Sequence, residues 1–211
     1  ALTHWDLSKS DKPSELIPGL ALSWEVDPAD KTKWVFKLRP GVKFHDGSDF
    51  NADAVVWNVR KVLDKDAEHF DPAQVGATAS RMPTLKSARK IDDLTVELTT
   101  SEPDAFLPIN LTNLFMASPA HWATKLAAVP ASVTDKAERS KAAWTAFAAD
   151  PSGSGPFKAA RFVPRERFEM VKNTAYWDPK RTPTIDKVVL LPLPEANSRT
   201  AALMSGQVDW I

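Results

Sequence analysis

Between Lys33 and Leu63 the hydrophobic repeat changes from period two to the helical period, which constrains the fold more than any other feature. In "KWVFKLR", residues 33–39, Trp34, Phe36 and Leu38 alternate with Val35, Lys37 and Arg39, the pattern of a half-buried strand. Pro40-Gly41 makes a turn, Val42 and Phe44 continue the alternation, and Asp46-Gly47 turns again. Asn51 then suits a helix N-cap, because its side-chain oxygen can accept a hydrogen bond from a free amide of the first turn. Asp53 adds negative charge at the positive end of the helix dipole. Val55, Val59, Val62 and Leu63 fall at helical spacing and should face a core shared with Trp34, Phe36 and Leu38. A strand followed so closely by a helix indicates a mixed α/β (α+β) chain.

The remaining segments extend this pattern. "LKSARKIDDLTVELTT" reads as a hairpin in which Ile91 ends one strand and Asp92-Asp93 turn, while Leu94, Val96 and Leu98 line one face of the next. A short helix is expected from about Pro103, since proline suits the first helical position. Residues 120–149 are alanine-rich and charged, with Trp144 and Phe147 three apart, and read as helical excursions. "DPSGSGPF", residues 150–157, is the strongest break and marks an expected domain boundary. Beyond it, Phe157–Phe162 and Arg167–Lys172 read as a hairpin, and "KVVLLPLP" as an apolar strand buried on both faces. "EANSRTAALMSG" reads as a helix stopped by Gly206, and "QVDWI" as the start of a further strand. This strand–helix–strand order is expected to be one unit of a larger α/β sheet, making the chain a fragment.

Composition narrows the function. Lys plus Arg (27) equals Asp plus Glu (27), so the basic excess of a nucleic-acid binder is missing. The absence of cysteine removes disulfides, thiolate chemistry and cysteine zinc sites. The longest apolar runs, such as Val188–Leu191, are far too short to span a bilayer as a helix. Seventeen prolines and eight tryptophans imply fixed turns and large anchors, in the core or on a binding surface.

Three clusters invite chemistry. His45-Asp46-Gly47 could supply two metal ligands, but His4, His69 and His121 show no pairing with it, and a tight turn explains the run better. Ser152 and Ser154 lie among glycines, yet residues 151–155 read P-S-G-S-G and not G-x-S-x-G, and Pro156 leads into a strand. No lysine follows in the P-loop register. A carboxylate pair for glycan or peptide hydrolysis is the alternative reading, since such pairs meet in space and not in sequence. No catalytic residue, cofactor or metal site is assigned.

"LIPGLALSWEVDPADKTKWVFKLRPGVKFHDGSDFNADAVVWNV" resembles the signature of the extracytoplasmic solute-binding proteins of family 5, the peptide, nickel and oligosaccharide receptors of ABC importers. "DDLTVELTTSEPDAFL", "GSGPFK", "VKNTAYWDPKRTPTIDKVVL" and "RTAALMSGQVDWI" follow in that family's order. The usual Gly-Thr-Gly-Pro is Gly153-Ser154-Gly155-Pro156 here, and Ala54 stands where aspartate is common. The resemblance implies part of a two-lobed periplasmic-binding-protein type II fold. Residues 1–150 would be the accessory subdomain of lobe I and 151–211 part of its ligand-binding core, with the second lobe absent. The His45-Asp46-Gly47 run would then be a scaffold turn away from the ligand cleft. The implied partners are a small solute, peptide as the first guess, and an ABC permease–ATPase pair. A periplasmic or cell-surface-anchored, monomeric receptor, peripheral to the membrane and without nucleic acid, is expected.

The ligand side is expected at the turn after strand 187–193, because ligands of open α/β sheets sit outside the carboxyl ends of strands. There Glu195, Asn197 and Arg199 offer a carboxylate, an amide and a guanidinium, which suits a zwitterion. Helix capping by Glu195 and Asn197, with Arg199 paired on the surface, is the plainer alternative.

Overall fold

The computed structural model describes Ala1–Ile211. Nine strands form three antiparallel sheets, and six α-helices pack around them. Strands β1 (Thr3–Trp5) and β2 (Leu16–Pro18) make a small ribbon. Strands β3 (Ala21–Val26), β4 (Lys33–Leu38), β5 (Leu85–Asp92) and β6 (Thr95–Thr100) form a four-stranded sheet in the order β3-β4-β6-β5. Strands β7 (Phe157–Val163), β8 (Arg167–Lys172) and β9 (Lys187–Leu190) form the third sheet in sequence order.

The period switch is realised as expected. Phe36 and Leu38 on β4, with Val96 and Leu98 on β6, are fully or almost fully buried, and Phe36 sits opposite Val96 in the ladder. Helix α1 (Ala52–Leu63) covers this face through Val55, Val59 and Val62, while Leu63 packs at its edge. Asn51 caps it, Oδ1 accepting from the Ala54 amide at 3.0 Å. Asp53 receives Lys90 from the neighbouring strand at 2.7 Å.

The outer side of α1 supports a second, aromatic cluster. Helices α4 (Pro119–Ala127) and α5 (Lys136–Ala149) bring Trp122, Trp144 and Phe147 against Trp57 of α1. His69, just before the short helix α2 (Pro72–Ala77), stacks on Trp57 with centroids 4.3 Å apart. Its Nε2 donates to the Trp57 carbonyl, and burial pushes its pKa down to about 4, so the ring is neutral near pH 7. Several of the tryptophans are therefore packing anchors.

Four sequence expectations need correction. No helix starts at Pro103: Asp104 first forms a turn, accepting from the Phe106 amide at 2.8 Å, and helix α3 runs only from Leu107 to Asn110. The hairpin turn falls at Asp93-Leu94, because Asp92 stays in β5 and its Oδ1 accepts from the Leu94 amide. Leu94 therefore lies in the turn, 36% exposed, and Val96 and Leu98 alone carry that face into the core. β9 is antiparallel to β8 and is not buried on both faces; Val189 and Leu190 are exposed because no element among these residues packs over them. Finally, 207–211 forms no strand. Gly206 at φ +73° closes helix α6 (Ala196–Met204), and the Gln207 and Val208 amides turn back to the Ala202 carbonyl. The hairpin β7–β8 and the stop at Gly206 stand as read.

Candidate functional site

The His45-Asp46-Gly47 run is a turn, with Gly47 at φ +88°, a left-handed conformation that suits glycine. Asp46 Oδ1 accepts from the Ser48 amide and hydroxyl, and Oδ2 accepts from Ser118 Oγ at 2.6 Å. Burial alone would raise the Asp46 pKa, but these hydrogen bonds from Ser118 and Ser48 outweigh it and hold the carboxyl below its ordinary range. No group of three or more His, Asp or Glu side chains is placed to hold a metal ion.

The same turn clasps the connector 150–157. The His45 amide donates to the Gly153 carbonyl at 2.7 Å, and the Asp46 amide donates to Ser152 Oγ at 3.2 Å. The His45 ring completes the clasp: Nδ1 accepts from the Gly153 amide at 3.3 Å and Nε2 donates to the Gly155 carbonyl at 3.0 Å. One tautomer satisfies both bonds, and burial lowers the ring's pKa. Ser152, 3% exposed, is thus a structural acceptor, and Ser154 offers its carbonyl to Trp177 Nε1 at 3.0 Å.

His45→Ala is expected to cost about 1–2 kcal/mol, the net worth of one or two hydrogen bonds. The loss stays modest because the Gly155 carbonyl also accepts from Asn173 Nδ2 at 3.1 Å. Thermal denaturation checks this, and a variant that no longer folds would contradict it.

Beside the clasp lies a cavity of about 600 Å³, within the range that small ligands occupy. Its wall is mostly apolar, including Phe115, Met116, Phe157, Met170 and Trp177. The ring of Trp177 is fixed from behind by Arg39, whose guanidinium lies 4.6 Å from the ring centroid. His4 and His45 are the imidazoles on the wall, so the His45 turn, expected away from the ligand cleft, borders this cavity. Arg181 Nη1 can only donate, so His4 Nδ1 accepts its hydrogen bond at 3.0 Å.

Glu195, Asn197 and Arg199 do not line this cavity. They stand together at the start of α6, where Glu195 occupies the N-cap position without making a side-chain cap bond. Arg199 turns back along the chain, Nη1 donating to the Leu193 and Pro194 carbonyls at 2.9 and 2.7 Å. Its guanidinium therefore shapes the turn after β9, while Glu195 and Asn197 are exposed.

Sequence reasoning missed the strap Leu114–Ser118, which carries Phe115 to the cavity. A signal existed. Asn58 and Lys61 are polar residues on the face of α1 that also carries Val55, Val59 and Val62, and both are buried. Buried polar groups on an apolar face call for partners, and both find them on this strap.

A profile of the bacterial extracellular solute-binding proteins, family 5 Middle, matches residues 15–211. The chain belongs to this family. It is 30% identical over 212 residues to heme-binding protein A of Haemophilus influenzae, covering 94% of this chain and 36% of that protein. It is also 30% identical over 200 residues to the glutathione-binding protein GsiB of Pectobacterium atrosepticum, covering 95% and 34%. Among solved structures, the DppA periplasmic binding protein of Helicobacter pylori in complex with the peptide STSA superposes with a TM-score of 0.74 at 27% identity. That match covers 98% of this chain and 39% of DppA. The chain thus spans a little over a third of the length of the proteins it resembles, and its mixed α/β architecture is that of periplasmic binding proteins. The family is one of solute receptors acting outside the cytoplasm, and no helix here is long and apolar enough to cross a membrane.

Proposed function

We propose that this chain forms part of the first lobe of a receptor that captures a small solute, a peptide in the first instance, and delivers it to an ABC permease and its ATPase. The observation that carries this reading is the similarity over 98% of the chain to a binding protein solved with a bound peptide. A largely apolar cavity of ligand size supports it. In such receptors two lobes close about a hinge and trap the solute between them. Residues 1–150 would serve as the accessory subdomain and 151–211 as part of the ligand-binding core, joined through the His45 clasp. The receptor would work as a monomer in the periplasm or anchored at the cell surface, without nucleic acid, metal or cofactor.

Within this reading Glu195, Asn197 and Arg199 contact the charged ends of the solute. Arg199 keeps donors free after bonding two carbonyls through Nη1. Each residue is replaced singly by alanine in the full-length protein, and binding of the tetrapeptide Ser-Thr-Ser-Ala is measured by calorimetry. A loss of about tenfold for at least one variant is expected, corresponding to about 1.4 kcal/mol. Parental affinity in all three would remove this turn from the binding site. A hydrolase with a carboxylate pair is the rival, and the same titration separates the two: a receptor returns the peptide intact and gains thermal stability from it.

A further inference from the structure

Phe115 is 72% exposed, yet the strap that carries it is held by buried groups on every side. Leu114 and Met116 insert into the main core. Asn58, fully buried, grips Ala117 like a neighbouring strand: its Oδ1 accepts from the Ala117 amide and its Nδ2 donates to the Ala117 carbonyl, both at 2.9 Å. Lys61, 6% exposed, donates from Nζ to the Phe115 carbonyl at 3.3 Å. Ser118 ties the strap's end to the Ser152 carbonyl and to Asp46. With Leu114 and Met116 turned inward, the Phe115 ring is turned outward onto the cavity wall.

Burying an asparagine and a lysine is costly unless both are used, and here both fix the backbone around a side chain that adds nothing to the core. The wall that Phe115 joins carries no Asp, Glu, Lys or Arg side chain. His4 Nδ1 and His45 Nδ1 each accept a hydrogen bond, so neither ring presents a full charge. An aromatic side chain on a backbone fixed in advance, facing a hollow without charged side chains, loses little backbone entropy when it packs on a ligand. Resting on the receptor reading above, we propose that Phe115 is a specificity-determining residue, seating an uncharged apolar or aromatic group of the solute in this cavity. Any charged ends of the solute are then held elsewhere.

The test uses the full-length protein, its Phe115→Ala and Phe115→Leu variants, and three probes. The dipeptides Ala-Phe and Ala-Asp are titrated by calorimetry, and the uncharged dye N-phenyl-1-naphthylamine by fluorescence. Parent protein should prefer Ala-Phe. Phe115→Ala should weaken Ala-Phe by about tenfold and Ala-Asp by less than about twofold, with Phe115→Leu between. Equal losses for both dipeptides, or no loss, overturn the proposal. If neither dipeptide binds the parent, the dye decides, the peptide reading being judged separately by Ser-Thr-Ser-Ala: a loss of about tenfold in Phe115→Ala supports the role of Phe115. Unchanged dye affinity, or no dye binding to the parent, overturns it. Because the side chain is exposed, both variants should share the parental denaturation midpoint.

Discussion

Replacing Phe36 by alanine is expected to lower stability by about 3–5 kcal/mol, the range for removing a buried phenylalanine and leaving a void. Phe36 has no solvent exposure and lies on β4, between β3 and β6 in the sheet. It faces Trp24 across one ladder and Val96 across the other, and its ring stacks on Trp24 with centroids 6.3 Å apart. Neither sheet neighbour can collapse far into the gap, because the ladder hydrogen bonds hold their backbones. Urea denaturation should show a lower midpoint at an unchanged slope. Lys37, next in sequence and on the opposite face, is the control: Lys37→Ala loses only the bond from Nζ to Thr95 Oγ1 at 3.0 Å and should stay within about 1.5 kcal/mol of the parent. Equal midpoints for the Phe36 and Lys37 variants would mean that the strand's phase had been misread.

That phase was legible because a strand and a helix each advertise burial through their own repeat. Phe36, Leu38, Val55 and Val59 could be placed in one core from periodicity alone, and Asn51 from capping chemistry. Two kinds of feature were not legible. Local side-chain competition moved boundaries: Asp104 delayed helix α3 and Asp92 shifted the hairpin turn by one residue, and periodicity carries no information about such bonds. Burial that depends on partners also escaped. The apolar run Lys187–Leu190 has the composition of a covered strand, but only contacts from another element can cover it. At the candidate site, the turn at His45-Asp46-Gly47 was readable, but not its grip on Gly153 and Gly155, which lie more than a hundred residues away. Phe115 was invisible for the same reason: its position follows from Asn58 and Lys61 reaching across to a distant strap.

Asn58 gives the sharpest check on that strap. Asn58→Leu keeps the branched shape and the number of heavy atoms, with a somewhat larger volume, but removes the donor and the acceptor that hold Ala117. Both the amide and the carbonyl of Ala117 then lose their partner, and each unsatisfied buried group costs about 1–3 kcal/mol. A destabilisation of about 2–5 kcal/mol is therefore expected in chemical denaturation, although the side chain added is more hydrophobic than the one removed. Asn58→Ala should cost less than Asn58→Leu if water enters the vacated space and bridges the two groups. Hydrogen exchange separates the local effect from the global one. The Ala117 amide should exchange faster in Asn58→Leu than the overall loss of stability accounts for, while amides of β4 and β6 follow the global change. Since the strap positions Phe115, the same variant should weaken binding of an apolar probe while Phe115 itself is intact. If Asn58→Leu were as stable as the parent, the Ala117 bonds would contribute nothing. The rigid presentation of Phe115 would then have to come from Lys61, Ser118 and the inward packing of Leu114 and Met116.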